Sequence, residues 1–134
     1  MRRKSKAYDL AEVRLHIEDA LYRLLQTPKL HKPFVVVSDT ITGRFVQFRG
    51  SDNETLLLDL PHAQFKSAVP VTKAAAFLDS KRAGTPQGVS YRDNLTFIHA
   101  TNLALRVLRE VHNLPENAQI EIIEDTSTPK EKWN

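Results

Sequence analysis

Residues 34–61 have the sequence FVVVSDTITGRFVQFRGSDNETLLLDLP, in which short apolar runs alternate with turn-forming residues. The runs Phe34–Ser38, Arg44–Arg49 and Thr55–Leu60 have the composition of strands. Gly43 suits the left-handed last position of a four-residue hairpin loop between the first two runs. The stretch therefore predicts a three-stranded antiparallel meander.

The alternation along these runs also predicts the register of the meander. Both loops agree on one arrangement, which pairs Asp39 with Arg44, Val37 with Val46, Arg49 with Thr55, Val46 with Leu58, and Phe48 with Leu56. One face of all three strands is then apolar and consists of Val35, Val37, Val46, Phe48, Leu56 and Leu58. A one-residue shift would mix polar and apolar side chains on every strand, so we expect this face to cover the core.

The opposite face of the meander has a mixed composition. Its large apolar side chains are Phe34, Val36, Phe45 and Leu57, and its polar ones are Ser38, Gln47, Arg49, Thr55 and Asp59. Such a face is too apolar for free solvation and too polar for a second full core. Three arrangements are consistent with it, namely partial cover by another segment of the chain, a contact between two copies, and a ligand-binding surface.

Helices are predicted before and after the meander. Asp9-Leu-Ala-Glu12 has the spacing of a capping box, and an apolar stripe follows at Val13, Ile17, Leu21, Leu24 and Leu25. This first helix should end near Thr27-Pro28, because proline disfavours helix at the residue before it. A second helix is predicted over Val71–Ala83 and a third over Thr101–Asn113.

Further short strands complete the expected order of elements. They are predicted at Val89–Tyr91, at Leu95–Ile98 after an Arg92–Asn94 turn, and at Ile120–Ile123. The order α-β-β-β-α-β-β-α-β groups strands together instead of alternating them strictly with helices. This grouping is typical of the α+β class, with an antiparallel sheet and helices packed on one face.

The composition indicates how many domains the chain forms and in which cellular compartment it is expected. The chain has 134 residues, 41% of them hydrophobic and 26% charged, which are ordinary values for one globular domain. We expect a basic tail at 1–8, a single domain at 9–125 and a second tail at 126–134. The absence of cysteine excludes disulfides and thiolate metal sites, and together with the lack of a secretory signal or a bilayer-spanning run it favours a cytoplasmic protein.

The net charge of +3 comes from one short block. Arg2, Arg3, Lys4 and Lys6 carry more positive charge than the whole chain has in excess. Such an arm is either a solvated tail or a contact for the phosphates of a nucleic acid or for anionic lipid. A weak interleaving of aromatic and basic residues at Phe45, Gln47 and Arg49 is the other feature that nucleic-acid binding would use.

Catalytic and metal-binding patterns are absent from the sequence. The five histidines, His16, His31, His62, His99 and His112, share no short helical or hairpin spacing. The chain has no nucleophile elbow and no glycine-rich phosphate loop, and Ser90, Asp93 and His99 are the nearest thing to a hydrolytic set. Glu121, Glu124 and Asp125 are expected to form a solvated acidic edge. We therefore predict a non-enzymatic protein with no metal and no cofactor.

Four stretches carry a resemblance to a known family. Phe34–Val37, Arg44–Phe48 and Thr55–Pro61 resemble the TY-Chap superfamily, and Ala104–Val111 is similar to the last-helix pattern of some of its members. That group gathers type III secretion chaperones and related small bacterial domains. The resemblance implies a helix, a three-stranded meander, a second helix, further strands and a last helix.

The resemblance also implies how the domain would act. An exposed sheet face or helix groove would hold an extended segment of a protein or peptide partner, commonly within a homodimer. The matching contact residues are Phe34, Val36, Phe45, Gln47 and Leu57. Type III chaperones are typically acidic, so the basic N-terminus favours a generic relative over a secretion role. An immunity or antitoxin-like protein that blocks one partner and a nucleic-acid-binding protein that uses the basic arm are the alternatives.

Overall fold

The computed structural model describes residues 6–28, 32–50, 56–61, 88–92 and 96–125. Its strands are β1 Ala7–Asp9, β2 Phe34–Asp39, β3 Phe45–Gly50, β4 Leu56–Pro61, β5 Gly88–Arg92 and β6 Gln119–Asp125. Its α-helices are α1 Arg14–Gln26 and α2 Phe97–Arg106, with a 3-10 turn at Leu10–Glu12 before α1 and a π-helical turn at Val107–Val111 after α2. The strands form one antiparallel sheet in the order β1-β6-β2-β3-β4-β5. The predicted α+β class is confirmed.

The three-stranded meander is present, and its first register is as predicted. Val37 lies opposite Val46 and Val35 opposite Phe48. The second register is shifted by two residues, so that Phe48 lies opposite Leu58 rather than Leu56. The shift arises because β3 continues through Gly50, whereas the predicted strand ends at Arg49. Side chains alternate with a period of two, so this shift leaves every side chain on its predicted face.

The core lies between the predicted apolar face and the two helices. All six residues of that face are fully buried, as are Ile17, Leu21 and Leu24 of α1. On the other helix Ala100 and Ala104 are buried, and Leu108 follows in the π-helical turn. The two helices contact each other, and both contact the sheet. Burial of each large aliphatic or aromatic side chain contributes roughly 1.5–3 kcal/mol, so this layer supplies most of the drive to fold.

β6 is longer than predicted and lies inside the sheet. It pairs with β2 on one side, where Ile122 lies opposite Val37. On its other side it pairs with β1, where Tyr8 lies opposite Ile120. Ala7 and Tyr8 thus belong to the sheet, and the folded part begins at least two residues before the expected domain start at Asp9.

The predicted capping box at Asp9-Leu-Ala-Glu12 does not form. Asp9 ends β1, and its carboxylate accepts a hydrogen bond from the side-chain amide of Gln119 instead of capping a helix. α1 begins five residues later, at Arg14, without a side-chain cap. The competing interaction is the pairing of β1 with β6, which the local sequence does not reveal. The C-terminal end of α1 at Gln26 agrees with the stop predicted at Thr27-Pro28.

The predicted strand Leu95–Ile98 is wrong, because α2 already begins at Phe97. Thr96 caps this helix, and its hydroxyl accepts a hydrogen bond from the backbone N–H of His99 at 3.1 Å. A threonine cap of this kind satisfies an amide at the first turn and outweighs the strand preference of Phe97 and Ile98. The predicted helix Val71–Ala83, the Asp93–Asn94 part of the predicted turn and the tail at 126–134 lie outside the described residues.

Neither helix in the described part of the chain is long and apolar enough to cross a bilayer.

Candidate binding surface

The sheet has a second face, opposite the helices, which we call the outer sheet face. In its central part the pleat and the strand pairing place these side chains: Phe34, Val36 and Ser38 of β2, Phe45, Gln47 and Arg49 of β3, and Glu121, Ile123 and Asp125 of β6. Leu57 of β4 lies beside Arg49 on the same face. All five predicted contact residues are therefore together on one surface.

Strand pairing arranges the centre of this face in three rows. In the first row Ser38 lies between Glu121 and Phe45. In the second, Val36 lies between Ile123 and Gln47. The third row has Phe34 between Asp125 and Arg49. Charged groups thus lie at three of the four corners, and apolar side chains occupy the fourth corner, the centre and two of the edges.

Exposure differs among the predicted contact residues. Phe34, Val36, Phe45 and Gln47 are half-buried, so each presents part of its side chain at the surface. Leu57 is only 8% exposed although its side chain projects to this face, so it offers little contact area. Four of the five predicted residues therefore keep part of their side chain at the surface.

The half-buried apolar side chains Phe34, Val36 and Phe45 of the outer sheet face form what we call the apolar strip. Ile123 is a further member of this strip, which the sequence did not indicate. It is half-buried and lies directly beside Val36. The run Ile120, Ile122 and Ile123 contains adjacent apolar residues, which hides the alternation of the strand. Only the pairing of β6 with β2 shows that Ile123 and Ile122 project to opposite faces.

The three residues of the expected solvated acidic edge do not lie on one surface: Glu124 projects to the helix side, and Glu121 and Asp125 project to the outer sheet face. Glu124 projects to the helix side, where its Oε1 and Oε2 accept hydrogen bonds from Arg23 Nε at 2.8 Å and Nη2 at 2.7 Å. This two-bonded contact with Glu124 raises the pKa of the Arg23 guanidinium. Asp125 is only 3% exposed, so its predicted solvation is wrong. Glu121 is half-buried at the edge of the outer sheet face.

The hairpin between β2 and β3 ends in a polar network against the end of the π-helical turn. The buried carboxylate of Asp39 accepts hydrogen bonds from the backbone N–H of Thr42 at 2.8 Å and from its hydroxyl at 2.7 Å. His112 is 3% exposed. Burial lowers the pKa of its imidazole to about 4, despite a hydrogen bond to the backbone of Phe45 that acts in the opposite direction. This network holds the turn and leaves the side chain of Ile41 85% exposed at its tip.

A second group of exposed apolar side chains lies on the helices. Leu15 and Tyr22 of α1 are 67% and 48% exposed, and Ile98 of α2 is 52% exposed. Tyr22 packs edge-to-face on Phe97, with ring centroids 5.3 Å apart. These three side chains are more exposed than the half-buried apolar residues of the outer sheet face.

The structure places two of the histidines that were considered for chemistry. His16 stacks on Tyr8 with ring centroids 3.7 Å apart, and His112 is buried at the far end of the core. No group of three or more His, Asp or Glu side chains among the described residues could hold a metal ion. Asp93, the middle member of the Ser90, Asp93 and His99 set, lies outside the described residues, as do Arg2, Arg3 and Lys4 of the basic arm. Lys6, the last basic residue of that arm, has its Nζ 5.7 Å from the centroid of the Tyr8 ring.

No protein-family model, no curated protein and no solved structure matches this chain. The resemblance to the TY-Chap superfamily therefore stays a prediction.

Proposed function

We propose that this protein is a non-enzymatic, chaperone-like module that binds a protein or peptide partner through its outer sheet face in the cytoplasm. The observation that carries the proposal is the apolar strip formed by Phe34, Val36, Phe45 and Ile123. It lies on the face opposite the core, and each of its side chains keeps part of its surface open. A contiguous apolar patch outside the core is typical of an interaction site.

The surroundings of the strip favour a protein partner. Charged groups at Glu121 and Arg49 border the apolar centre, an arrangement that protein interfaces share. Gln47 lies beside Val36 and offers both a donor and an acceptor at the middle of the strip. Contact area would come from the two phenylalanines, and the polar groups at the border would orient the partner.

Placement on a sheet gives the surface a rigid base. Along β2 and β3 the strip residues alternate with Val35, Val37, Val46 and Phe48, which are fully buried against the helices. The strip is therefore held in place by the core and does not need to order itself on binding. Less conformational entropy is lost when such a preorganised surface binds.

The test compares variants of the two faces. We expect Val36→Ser with Phe45→Ser to weaken capture of the natural partner at least tenfold, because central apolar contacts dominate interface energies. Leu15→Ser with Ile98→Ser is the matched control, since it removes two exposed apolar side chains from the helix surface. Capture is measured with immobilised protein and extract of the native host, and thermal unfolding verifies that both variants fold. Equal capture by wild type and the sheet variant would reject the proposal.

A further inference from the structure

The apolar strip lies beside the point where a further segment of the chain begins. β6 ends at Asp125, which lies opposite Phe34 of the strip. The segment 126–134 follows directly and has the sequence TSTPKEKWN. Its Trp133 is the sole tryptophan of the chain. An indole is large and flat, so it gains much from contact with an apolar sheet surface.

The length of this segment matches the distance to the strip. Trp133 is eight positions beyond Asp125, and eight extended residues span roughly 26–29 Å. From the spacing of paired strands and the rise along them, the Cα atom of Val36 lies roughly 8 Å from that of Asp125. β6 points away from the strip at Asp125, so the chain has to reverse. The first four residues of the segment include Ser127 and Pro129, which favour turns.

The helix side of the sheet is already occupied at this end of β6. Glu124 projects to that side, and its side chain is only 12% exposed. Both of its carboxylate oxygens accept hydrogen bonds from Arg23 of α1. On the opposite side the strip residues Phe34 and Ile123 are half-buried. A segment that turns back after Asp125 therefore finds apolar surface to cover on the outer side.

Resting on the proposal that the outer sheet face binds a partner, we infer that segment 126–134 folds back over this face and places the indole of Trp133 on Phe34 and Val36. The contact lies within one chain, and a partner displaces it in order to bind. The tether gives the indole an effective concentration on the order of millimolar at the strip, so that a weak contact is enough to cover it. The displacing partner is then an extended segment with a large apolar or aromatic side chain of its own.

Tryptophan fluorescence of the full chain tests the contact, because Trp133 is the sole source of the signal. In the folded wild type we expect an acrylamide quenching constant about threefold or more below that of the urea-unfolded chain, with emission at shorter wavelength. Val36→Ser with Phe45→Ser should raise the quenching constant and move the emission to longer wavelength. Leu15→Ser with Ile98→Ser is the matched control and should leave both values as in wild type. Dilution of the protein should change neither value, since the contact is intramolecular.

Capture of the partner from host extract tests the displacement. Trp133→Ser in the full chain should tighten the apparent affinity for the partner about threefold or more, because no fraction of the molecules is then covered. Lys132→Ser leaves the indole in place and is the matched control. It should keep the affinity within about twofold of wild type.

Four results would overturn the inference. They are an indole as accessible in the folded wild type as in the unfolded chain, fluorescence that the sheet variant does not change, protection that is lost on dilution, and unchanged capture by Trp133→Ser. Loss of protection on dilution would assign the indole to a second copy.

The fluorescence results do not depend on a partner, so they separate this inference from the proposed function. If the indole is accessible and the Val36→Ser with Phe45→Ser variant still loses its partner, the proposed function stands and the inference falls. If the indole is covered and that variant captures normally, the proposed function falls and the segment is a structural cover of the sheet. Thermal unfolding verifies that each variant folds.

Discussion

The guanidinium of Arg44 donates a hydrogen bond to the carbonyl oxygen of His112, with Nη1 3.3 Å from that oxygen. The contact joins the β2–β3 hairpin to the end of the π-helical turn across 68 positions of sequence. It holds the His112 imidazole in the core beside the strand that carries Phe45. The hairpin that supports half of the proposed binding surface is therefore coupled to a buried titratable group.

Acid should destabilise the domain through His112. Burial lowers the pKa of this imidazole from 6.5 to about 4 in the folded state. As the pH falls from 6.5 towards 4, the unfolded chain takes up the proton first, so stability that is present at pH 7 is progressively lost. We expect a loss on the order of 3 kcal/mol over this range, measured by urea unfolding at several pH values.

The control for this pH dependence is a histidine at the surface. His112→Gln should flatten the decline in unfolding free energy between pH 6.5 and 4, whereas the exposed His99→Gln should leave it unchanged. Parallel profiles for wild type and His112→Gln would show that another group causes the acid sensitivity.

The two faces of the sheet should respond differently to truncation. Phe48 is fully buried in the core, so Phe48→Ala should cost about 3–5 kcal/mol of unfolding free energy. Val36 lies half-buried on the outer sheet face, so Val36→Ala should cost less than about 1 kcal/mol. Denaturant unfolding of both variants measures the difference. Comparable losses would mean that the outer sheet face is a second structural core.

The hairpin turn should depend on the backbone of Gly43. Its φ of +74° lies in the left-handed region, and an added Cβ would meet no atom within 4 Å. Gly43→Ala should therefore cost about 1–2 kcal/mol through backbone strain alone. Gly43→Asn, whose side chain tolerates this conformation better, should cost less. Equal unfolding midpoints for wild type and Gly43→Ala would contradict this account of the turn.

The basic arm should be dispensable for partner capture. Replacing Arg2, Arg3, Lys4 and Lys6 with serine leaves the apolar strip unchanged, so we expect capture within about twofold of wild type. If the arm binds nucleic acid instead, the wild-type affinity for a random DNA duplex will fall steeply with salt and the serine variant will lose it. A fluorescence titration at two salt concentrations distinguishes these outcomes. Loss of partner capture in the serine variant would assign the arm to the binding site.

The meander was predictable because its constraint is local and periodic. Apolar and polar residues alternate from Val35 to Phe48, so only one set of side chains on each strand can face the core. The exact pairing of Leu56 and Leu58 was not predictable, because a two-residue shift leaves both side chains in the core. The pattern determines which side chains face the core, whereas the register depends on where β3 ends, at Gly50.

Long-range pairing explains what the local patterns missed. Asp9 is a residue type that commonly caps helices. Its carboxylate instead accepts a hydrogen bond from the side chain of Gln119, which is 110 residues away in sequence. Ile123 joins the binding strip only because β6 lies next to β2. Thr96 is the exception, since threonine is a preferred capping residue and the local segment Thr96–His99 contains both partners of the cap of α2.

The most direct test of the binding surface is photo-crosslinking in the native host. A benzoyl-phenylalanine replaces Phe45 in one variant and Ile98, on the helix surface, in another. The account predicts strong adducts from position 45 with a partner protein or with a second copy, and few from position 98. Adducts of equal yield from both positions, or none from position 45, would contradict it.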